Sequence, residues 1–429
     1  MGYLGRILGS DGGDGQDRYI DNWLRGLDDG GTLSSTGLRI TVEEAMTVPA
    51  ISGSVNVLSE DLAKVPFVLY KAGAAREEAV DHPLYKLLKY GPAPWLSSYA
   101  WRRVLLSNAL SRGNGYSRVH RPGGAFLDRL TLIQPGATTH RWQTDGEPFF
   151  DVVENGTLQQ NLSWQDIIHV PYRATNECAV NGGVLGVSPI HRNKETVALA
   201  LAAERYAAKF FKNGAKPSAI LEMDKKLPDD EVAKRIRAGI ERVYSGVDNS
   251  FKVAILELGL KLKEWSFDPQ KSQMTETRKE QAKACAMMYG VPPHKVGILD
   301  NATFTNIESQ GIDYVTGPVS ALAQCLESSI EVACLTPRER EQYYVECNLD
   351  ALMRGDLEGR YAAYAIARQW GWLNVDTIRG KDNLPPLPNG QGQEYITPLN
   401  MIPAGTVPIR RTEVVPPADD KQVDPNKKG

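Results

Sequence analysis

The stretch "MMYGVPPHKVGILDNATFTNIESQ", residues 287–310, stops one helical pattern, crosses a glycine- and proline-punctuated segment, and starts another. Before it, "DPQKSQMTETRKEQAKACAMMYG" (268–290) predicts a helix opened by Asp268-Pro269 and closed by Gly290, where a left-handed residue lets the chain leave. Its polar face carries Glu276, Arg278, Lys279, Glu280 and Lys283. After it, Thr305-Asn306-Ile307-Glu308 fits a capping box, in which each side chain satisfies the other's free backbone donor. Val315, Val319, Leu322, Leu326, Ile330 and Ala333 follow at helical spacing, with Pro318 expected to kink the helix. Val291 to Phe304 is therefore a loop held at both ends by long helices.

Working back from that loop, "GVSPIHRNKETVALALAAERYAAKFFKNG" (186–214) predicts another long helix. Ser188 caps it, Pro189 suits the first helical position, Val197, Leu201, Tyr206 and Phe210 recur along it, and Asn213-Gly214 stops it. Its span of about 24 residues corresponds to roughly 36 Å. Between the two helices, "PSAILEM" (217–223) reads as a strand, "PDDEVAKRIRAGIERVYSG" (228–246) as a helix, and "FKVAILELGLKLKEWSF" (251–267) as a hairpin. The chain runs out along a rod, makes a small β-α-β-β module, and returns.

Upstream, residues 1–36 are rich in Gly, Asp and Ser and read as a mobile arm; "DGGDGQD" lacks the closing glutamate of a calcium loop. A helical pattern from Val42 to Lys64 leads into the strand "VPFVLY" and the helices "HPLYKLLKY" and "SSYAWRRVLLSNALSR". Short strands follow in "GYSRVHR", "LDRLTLIQP", "HRWQ", "FFDVVE" and "DIIHVPY", making this half α+β. Downstream, residues 351–390 read as a small helical unit and 391–429 as a flexible tail dense in Pro, Asn, Lys and Asp.

A chain of 429 residues exceeds one ordinary core, and 42% hydrophobic with 24% charged residues is the balance of a globular protein. No long apolar run suggests a membrane span, and the acidic, glycine-rich start does not read as a signal peptide, so an intracellular protein is expected. Cys178, Cys285, Cys325, Cys334 and Cys347 form no C-x-x-C pair and read as buried thiols. A net charge of -3 disfavours a protein that grips nucleic acid through many phosphates, but not one that lets it pass. Catalytic patterns are wanting. There is no G-x-x-x-x-G-K-S/T; "GNGYSR" has Arg118 where a third glycine belongs and reads as a tight turn; Ser188 is explained as a cap; and His82, His120, His140, His169, His191 and His294 show no metal spacing. His169, alternating with apolar neighbours, reads as a core or edge histidine. No cofactor and no enzyme activity are expected.

The ordered series "HPLYKLL...GPAPW", "LLSNALSRGNGYSRVHR", "LDRLTLIQP", "DIIHVPY", "GVLGVSPI", "AAERYAAKFFKNGAKPSAIL" and "NATFTNIESQ" resembles the portal proteins of tailed bacteriophages of the HK97 type. The resemblance covers most of residues 40–390 and rests on order and spacing. It implies an α+β portal subunit: wing at 37–187, first stem helix at 188–214, β-α-β-β clip at 215–267, second stem helix at 268–290, tunnel loop at 291–304, wing helix and following strand at 305–350, and helical crown at 351–390. It further implies a dodecameric homo-oligomeric ring at one capsid vertex, assembled in the host bacterial cytoplasm. Double-stranded DNA would pass through that ring, which would meet the terminase large subunit, a head-completion adaptor, and the major capsid and scaffolding proteins, with no membrane partner.

On that resemblance Lys295, Asp300, Asn301 and Thr303 are the DNA-facing tunnel-loop candidates. Arg278, Lys279 and Lys283 are stem-channel candidates, equally explained as a solvated face paired within Glu276-Lys279 and Glu280-Lys283. Lys234, Arg235 and Arg237 are the clip residues expected to dock the motor, and Tyr206, Phe210, Met287 and Met288 the candidates for stem packing between subunits, equally explained by packing within the subunit. Two rival classes remain: a head-morphogenesis enzyme with nuclease or nucleotidyl-transfer chemistry, which lacks a motif, and a DNA-binding module, which lacks a basic recognition helix.

Overall fold

A computed structural model describes residues 32–73, 76–124, 126–134, 136–142, 147–154, 156–174, 179–180, 183–212, 219–222, 231, 234, 261–264, 270–299, 304–349, 352, 357–382 and 384–396. The chain divides into two units, Met1–Met353 and Arg354–Gly429.

The first unit opens with β1 (Thr32–Leu33) paired antiparallel to β2 (Arg39–Ile40). Thr32 Oγ1 bonds His191 Nδ1 at 2.7 Å, and the Ser35 N–H donates to Glu195 at 3.1 Å. Residues 32–36, expected to belong to a mobile arm, are instead pinned to the body by these bonds. Residues 1–31 lie outside the described residues. The helical pattern of 42–64 is two helices, α1 (Val42–Ala45) and α2 (Pro49–Lys64), because Pro49 lacks an N–H and restarts the helix at its first position. Ile51, Val55, Leu58 and Leu62 of α2 are fully enclosed, the spacing of one helical face.

β3 (Phe67–Lys71), β4 (Glu77–Glu78), α3 (Pro83–Lys89) and α4 (Ser98–Arg112) come next. The His82 ring caps α3 by accepting from the Leu84 N–H at 3.2 Å, and Gly113, at φ +88°, ends α4. Then follow β5 (Asn114–His120), β6 (Arg129–Leu132), β7 (Thr138–Trp142), β8 (Pro148–Glu154), β9 (Thr157–Ser163), β10 (Ile167–Pro171), β11 (Ala179–Val180) and β12 (Gly183–Val184). Two antiparallel sheets result, ordered β10-β5-β6 and β7-β8-β9. Strand β9 carries no sequence signal: "TLQQNLS" is polar and exposed almost throughout, so no alternation marks it.

The expected single rod of 188–214 is α5 (Pro189–Arg192) followed by α6 (Lys194–Lys212). The break falls at Asn193, whose side-chain amide donates to the Pro189 carbonyl at 2.9 Å and so competes with the helical ladder. β13 (Ala219–Glu222) pairs antiparallel with β14 (Lys261–Glu264), Ala219 opposite Glu264. The rest of the anticipated hairpin lies outside the described residues. The chain then runs back along α7 (Gln270–Met287), which packs on α6 and on α2.

α8 (Phe304–Tyr314) begins one residue before Thr305, so Thr305 stands inside the helix and not at its cap, and the side chains of Thr305 and Glu308 lie outside the described residues. The kink expected at Pro318 takes the form of a π turn, Val315–Val319, because the proline ring cannot continue the regular ladder. α9 (Ser320–Cys334) and β15 (Tyr343–Cys347) complete the unit, with β15 joined to β3 in a sheet ordered β15-β3-β4. One core unites α2, α4, α9, β3, β5 and β10, with Trp101, Phe67, Tyr289 and Tyr314 among its largest enclosed side chains.

The second unit holds α10 (Leu357–Gln369) and α11 (Val375–Lys381). Asp376 ties the following segment to α11: its carboxylate accepts from the Leu387 N–H at 2.8 Å, and its N–H donates to the Gly392 carbonyl at 3.0 Å. Gly392, expected in a free tail, is thus tied to α11 and buried, while its neighbours in 391–396 stay exposed; 397–429 lie outside the described residues.

Candidate functional site

The glycine-rich turns serve packing. A Cβ on Gly186 would stand 1.9 Å from the Gly113 carbonyl oxygen, one on Gly113 2.5 Å from the Ser188 nitrogen, and one on Gly115 2.5 Å from the Leu105 oxygen. Asn114 ties this crossing together. Its amide donates to the Gly186 carbonyl at 3.0 Å, and its carbonyl accepts from the Gly186 N–H at 2.8 Å. Backbones that touch this closely leave no room for a phosphate, as the missing third glycine of "GNGYSR" implied. Ser188 caps α5, as expected, and its hydroxyl donates to the Ser111 carbonyl at 2.7 Å.

His169 sits on β10, stacked on Tyr116 with ring centroids 5.0 Å apart and bonded to Asn114 Oδ1 at 2.8 Å. His140 lies edge-on to it at 5.0 Å. Burial pushes His169 down to about 3, and holds His140 well below the ordinary histidine range, so both rings are neutral at pH 7. Burial also raises the thiols of Cys285 to about 11 and Cys334 to about 12, far from a reactive thiolate. Among the described residues no group of His, Cys, Asp and Glu has the proximity to hold a metal ion, and no helix is long and apolar enough to cross a membrane.

What remains is a mechanical arrangement. α6 leads toward β13 and α7 follows β14; the two helices pack on each other, and Val197, Ala198, Leu201, Cys285 and Ala286 on them are buried. Leu199 is 45%, Tyr206 53% and Met287 74% exposed, three large apolar groups uncovered within the single chain. Met288 is buried inside the subunit, and the Phe210 side chain lies outside the described residues. Arg278 and Lys279 are exposed on α7, while Lys283 pairs with Glu280 at 2.9 Å. Lys234 is exposed; Arg235 and Arg237 lie outside the described residues.

The loop after α7 leaves through Gly290, at φ +71°, above Pro318 of the π turn. A single turn of 3-10 helix, Pro293–Val296, then ends at Gly297, left-handed at φ +83°. Val296 seats on Gly53 of α2, and His294 Nδ1 lies 3.1 Å from Gln310 Oε1 of α8. The Lys295 ammonium reaches Asp61 Oδ2 at 3.6 Å and lies 4.9 Å over the Tyr314 ring. Asp300, Asn301 and Thr303 lie outside the described residues. Sequence reasoning missed Asp61 and Tyr314: the largely covered Asp61 lies on α2, more than two hundred positions from both Lys295 and Tyr314, where no local pattern distinguishes it.

A pair of packed helices with the β13–β14 pair between them in the chain, and a short turn held after the second helix, is the arrangement on which the family comparison bears. The family model "Phage portal protein" matches residues 49–383. The chain belongs to the phage portal protein family. It is 29% identical over 394 residues to the "Probable portal protein" of Streptomyces phage phiC31, covering 88% of this chain and 83% of that one. It is 24% identical over 365 residues to the "Portal protein" of Enterobacteria phage HK97, covering 82% of each. Its fold is similar to a chain in the neck of a native gene transfer agent particle computed with C12 symmetry, with a TM-score of 0.54, 20% identity, and 81% and 94% of the two chains covered. Phage portal proteins as a family are structural proteins.

Proposed function

We propose that twelve copies of this portal subunit close into a ring at one capsid vertex, through which double-stranded DNA enters the head and later leaves. The observation that carries this reading is the paired helices α6 and α7, which leave Leu199, Tyr206 and Met287 uncovered within one chain. Large apolar groups spaced along a rod are what a heterologous, ring-closing contact would bury. The relative in a neck computed with C12 symmetry supports the subunit number. In this assignment α6 and α7 are the stem, residues 215–267 the clip, 291–304 the tunnel loop and 351–390 the crown.

The charge balance suits a conduit. Each neutralised phosphate strengthens attachment, so a densely basic bore would hold DNA that has to slide. Arg278, Lys279 and Lys283 alternate along α7 with Glu276 and Glu280, a mixed-charge lining. The clip, at the far end of the stem, would dock the terminase large subunit through Lys234, Arg235 and Arg237 and later a head-completion adaptor, with the major capsid and scaffolding proteins meeting the wing. Electron microscopy of the purified protein tests the reading: rings with a central hole are expected, and a monomer over a range of salt and concentration overturns it.

A further inference from the structure

Asp61 stands at a meeting of three elements. Its Oδ2 accepts from the Tyr314 hydroxyl at 3.2 Å and faces the Lys295 ammonium at 3.6 Å, while Oδ1 takes Lys64 at 3.2 Å, one turn along α2. Lys295 belongs to the turn after α7, Tyr314 is the last residue of α8 before the π turn, and Asp61 lies on the core helix α2. Lys295 also lies against the face of the Tyr314 ring. Tyr314 is almost wholly enclosed, and burial, followed by the Asp61 charge, raises its hydroxyl above the ordinary tyrosine range, so it stays a donor to the carboxylate. Two ammoniums thus share one carboxylate that is itself oriented by a buried phenol.

We propose that Asp61 is a positioning residue for the tunnel loop: it draws the Lys295 ammonium onto α2, fixing the Pro293–Val296 turn and Gly297 against the body and keeping that cation off passing phosphates. This rests on the reading of 291–304 as the tunnel loop. The physical case is the geometry. At 3.6 Å the contact is an ion pair and not a hydrogen bond, and among the described residues Asp61 is the anion placed on Lys295. Val296 over Gly53 and His294 beside Gln310 locate the same turn, but neither engages the charge. Without Asp61, Lys295 keeps its charge and loses the partner that holds it.

The test uses the assembled ring and two readouts. Asp61→Asn, which keeps shape and removes charge, is expected to speed amide exchange across residues 294–299 by about threefold, and Lys295→Gln to do the same from the exposed side, where folding is not at stake. The exchanged pair Asp61→Lys with Lys295→Asp is expected to restore most of the protection, which a merely structural role for Asp61 would not predict. Unchanged exchange in both single variants, or no restoration in the exchanged pair, overturns the proposal. DNA packaging by the same rings separates it from the loop assignment. Asp61→Asn is expected to slow packaging at low salt and to recover at high salt, because the freed Lys295 contacts phosphates that salt screens. Faster exchange with packaging unaltered at every salt concentration would keep the hold on the turn and sink its placement in the channel.

Discussion

Residues in the core set the energetic terms most sharply. Arg102 is buried without a carboxylate, yet its guanidinium donates to the Ala63 carbonyl at 3.3 and 3.0 Å and to the Leu88 carbonyl at 3.2 Å. These are carbonyls from the last turns of α2 and α3, which lack helical donors. Burial lowers the group to about 10, so it remains a cation at pH 7. Arg102→Met should therefore cost about 2–3 kcal/mol despite keeping an apolar stem, since the carbonyls are left unpaired; thermal unfolding of the variant checks this. The histidines give a pH dependence whose sign is fixed. His169, near 3 when folded and near 6.5 when unfolded, binds protons mainly in the unfolded chain below 6.5. Stability from this site is present above about pH 6.5 and is lost progressively as pH falls toward 3, at no more than about 1.4 kcal/mol per pH unit. His169→Gln should flatten that part of a melting-temperature profile. The alternation around His169 made its enclosed place legible in the sequence, whereas nothing local to Arg102 distinguishes a buried arginine from a solvated one.

Elements show where patterns run out. The helices were legible because caps and apolar spacing are local: Ser97 and Gly113 bound α4, and Pro189 follows its cap Ser188. Breaks at Asn193 and the start of β1 were not, since each depends on a partner, the Pro189 carbonyl in one case and His191 with Glu195 in the other. The edge strand β15 shows another long-range device. Its outward N–H groups at Val345 and Cys347 donate at 2.7 Å to Glu331 and Glu327 of α9, so two carboxylates cover an edge that would otherwise accept another strand. Burial raises Glu327, opposed by the Cys347 N–H, which favours the charged form. Glu331→Ala should cost about 1–2 kcal/mol by leaving the Val345 donor unpaired. Amide exchange at Val345 should rise in that variant, and light scattering on warming should report association through the bared edge. Retained protection at Val345 would mean that the carboxylate is dispensable there.

At the scale of the whole molecule, function lies in what one chain leaves unfinished. Helical periodicity made both α6 and α7 legible in the sequence, apart from the break at Asn193; it could not show which apolar residues of those helices find partners inside the subunit. Met288 does, and Tyr206 and Met287 do not. Leu199 and Tyr206 are seven residues apart on α6, two turns along one face, while Val197, Ala198, Leu201 and Ala207 on the other faces are buried. A neighbouring subunit packing on that face would remove both from water, at about 25 cal/mol per Å² of apolar surface, and every interface of a closed ring repeats the gain. Leu199→Glu with Tyr206→Glu reverses it, because a carboxylate at each position must be desolvated in the contact and costs little in the free subunit, where both sites are about half exposed. The double variant should keep its far-ultraviolet circular dichroism and melt within about 1 kcal/mol of the parent, as solvent-facing substitutions do. By native mass spectrometry it should run as monomers under conditions in which the parent forms rings. Rings of undiminished stability in the double variant would show that this face of α6 stays in solvent in the assembly and that ring closure relies on other surfaces.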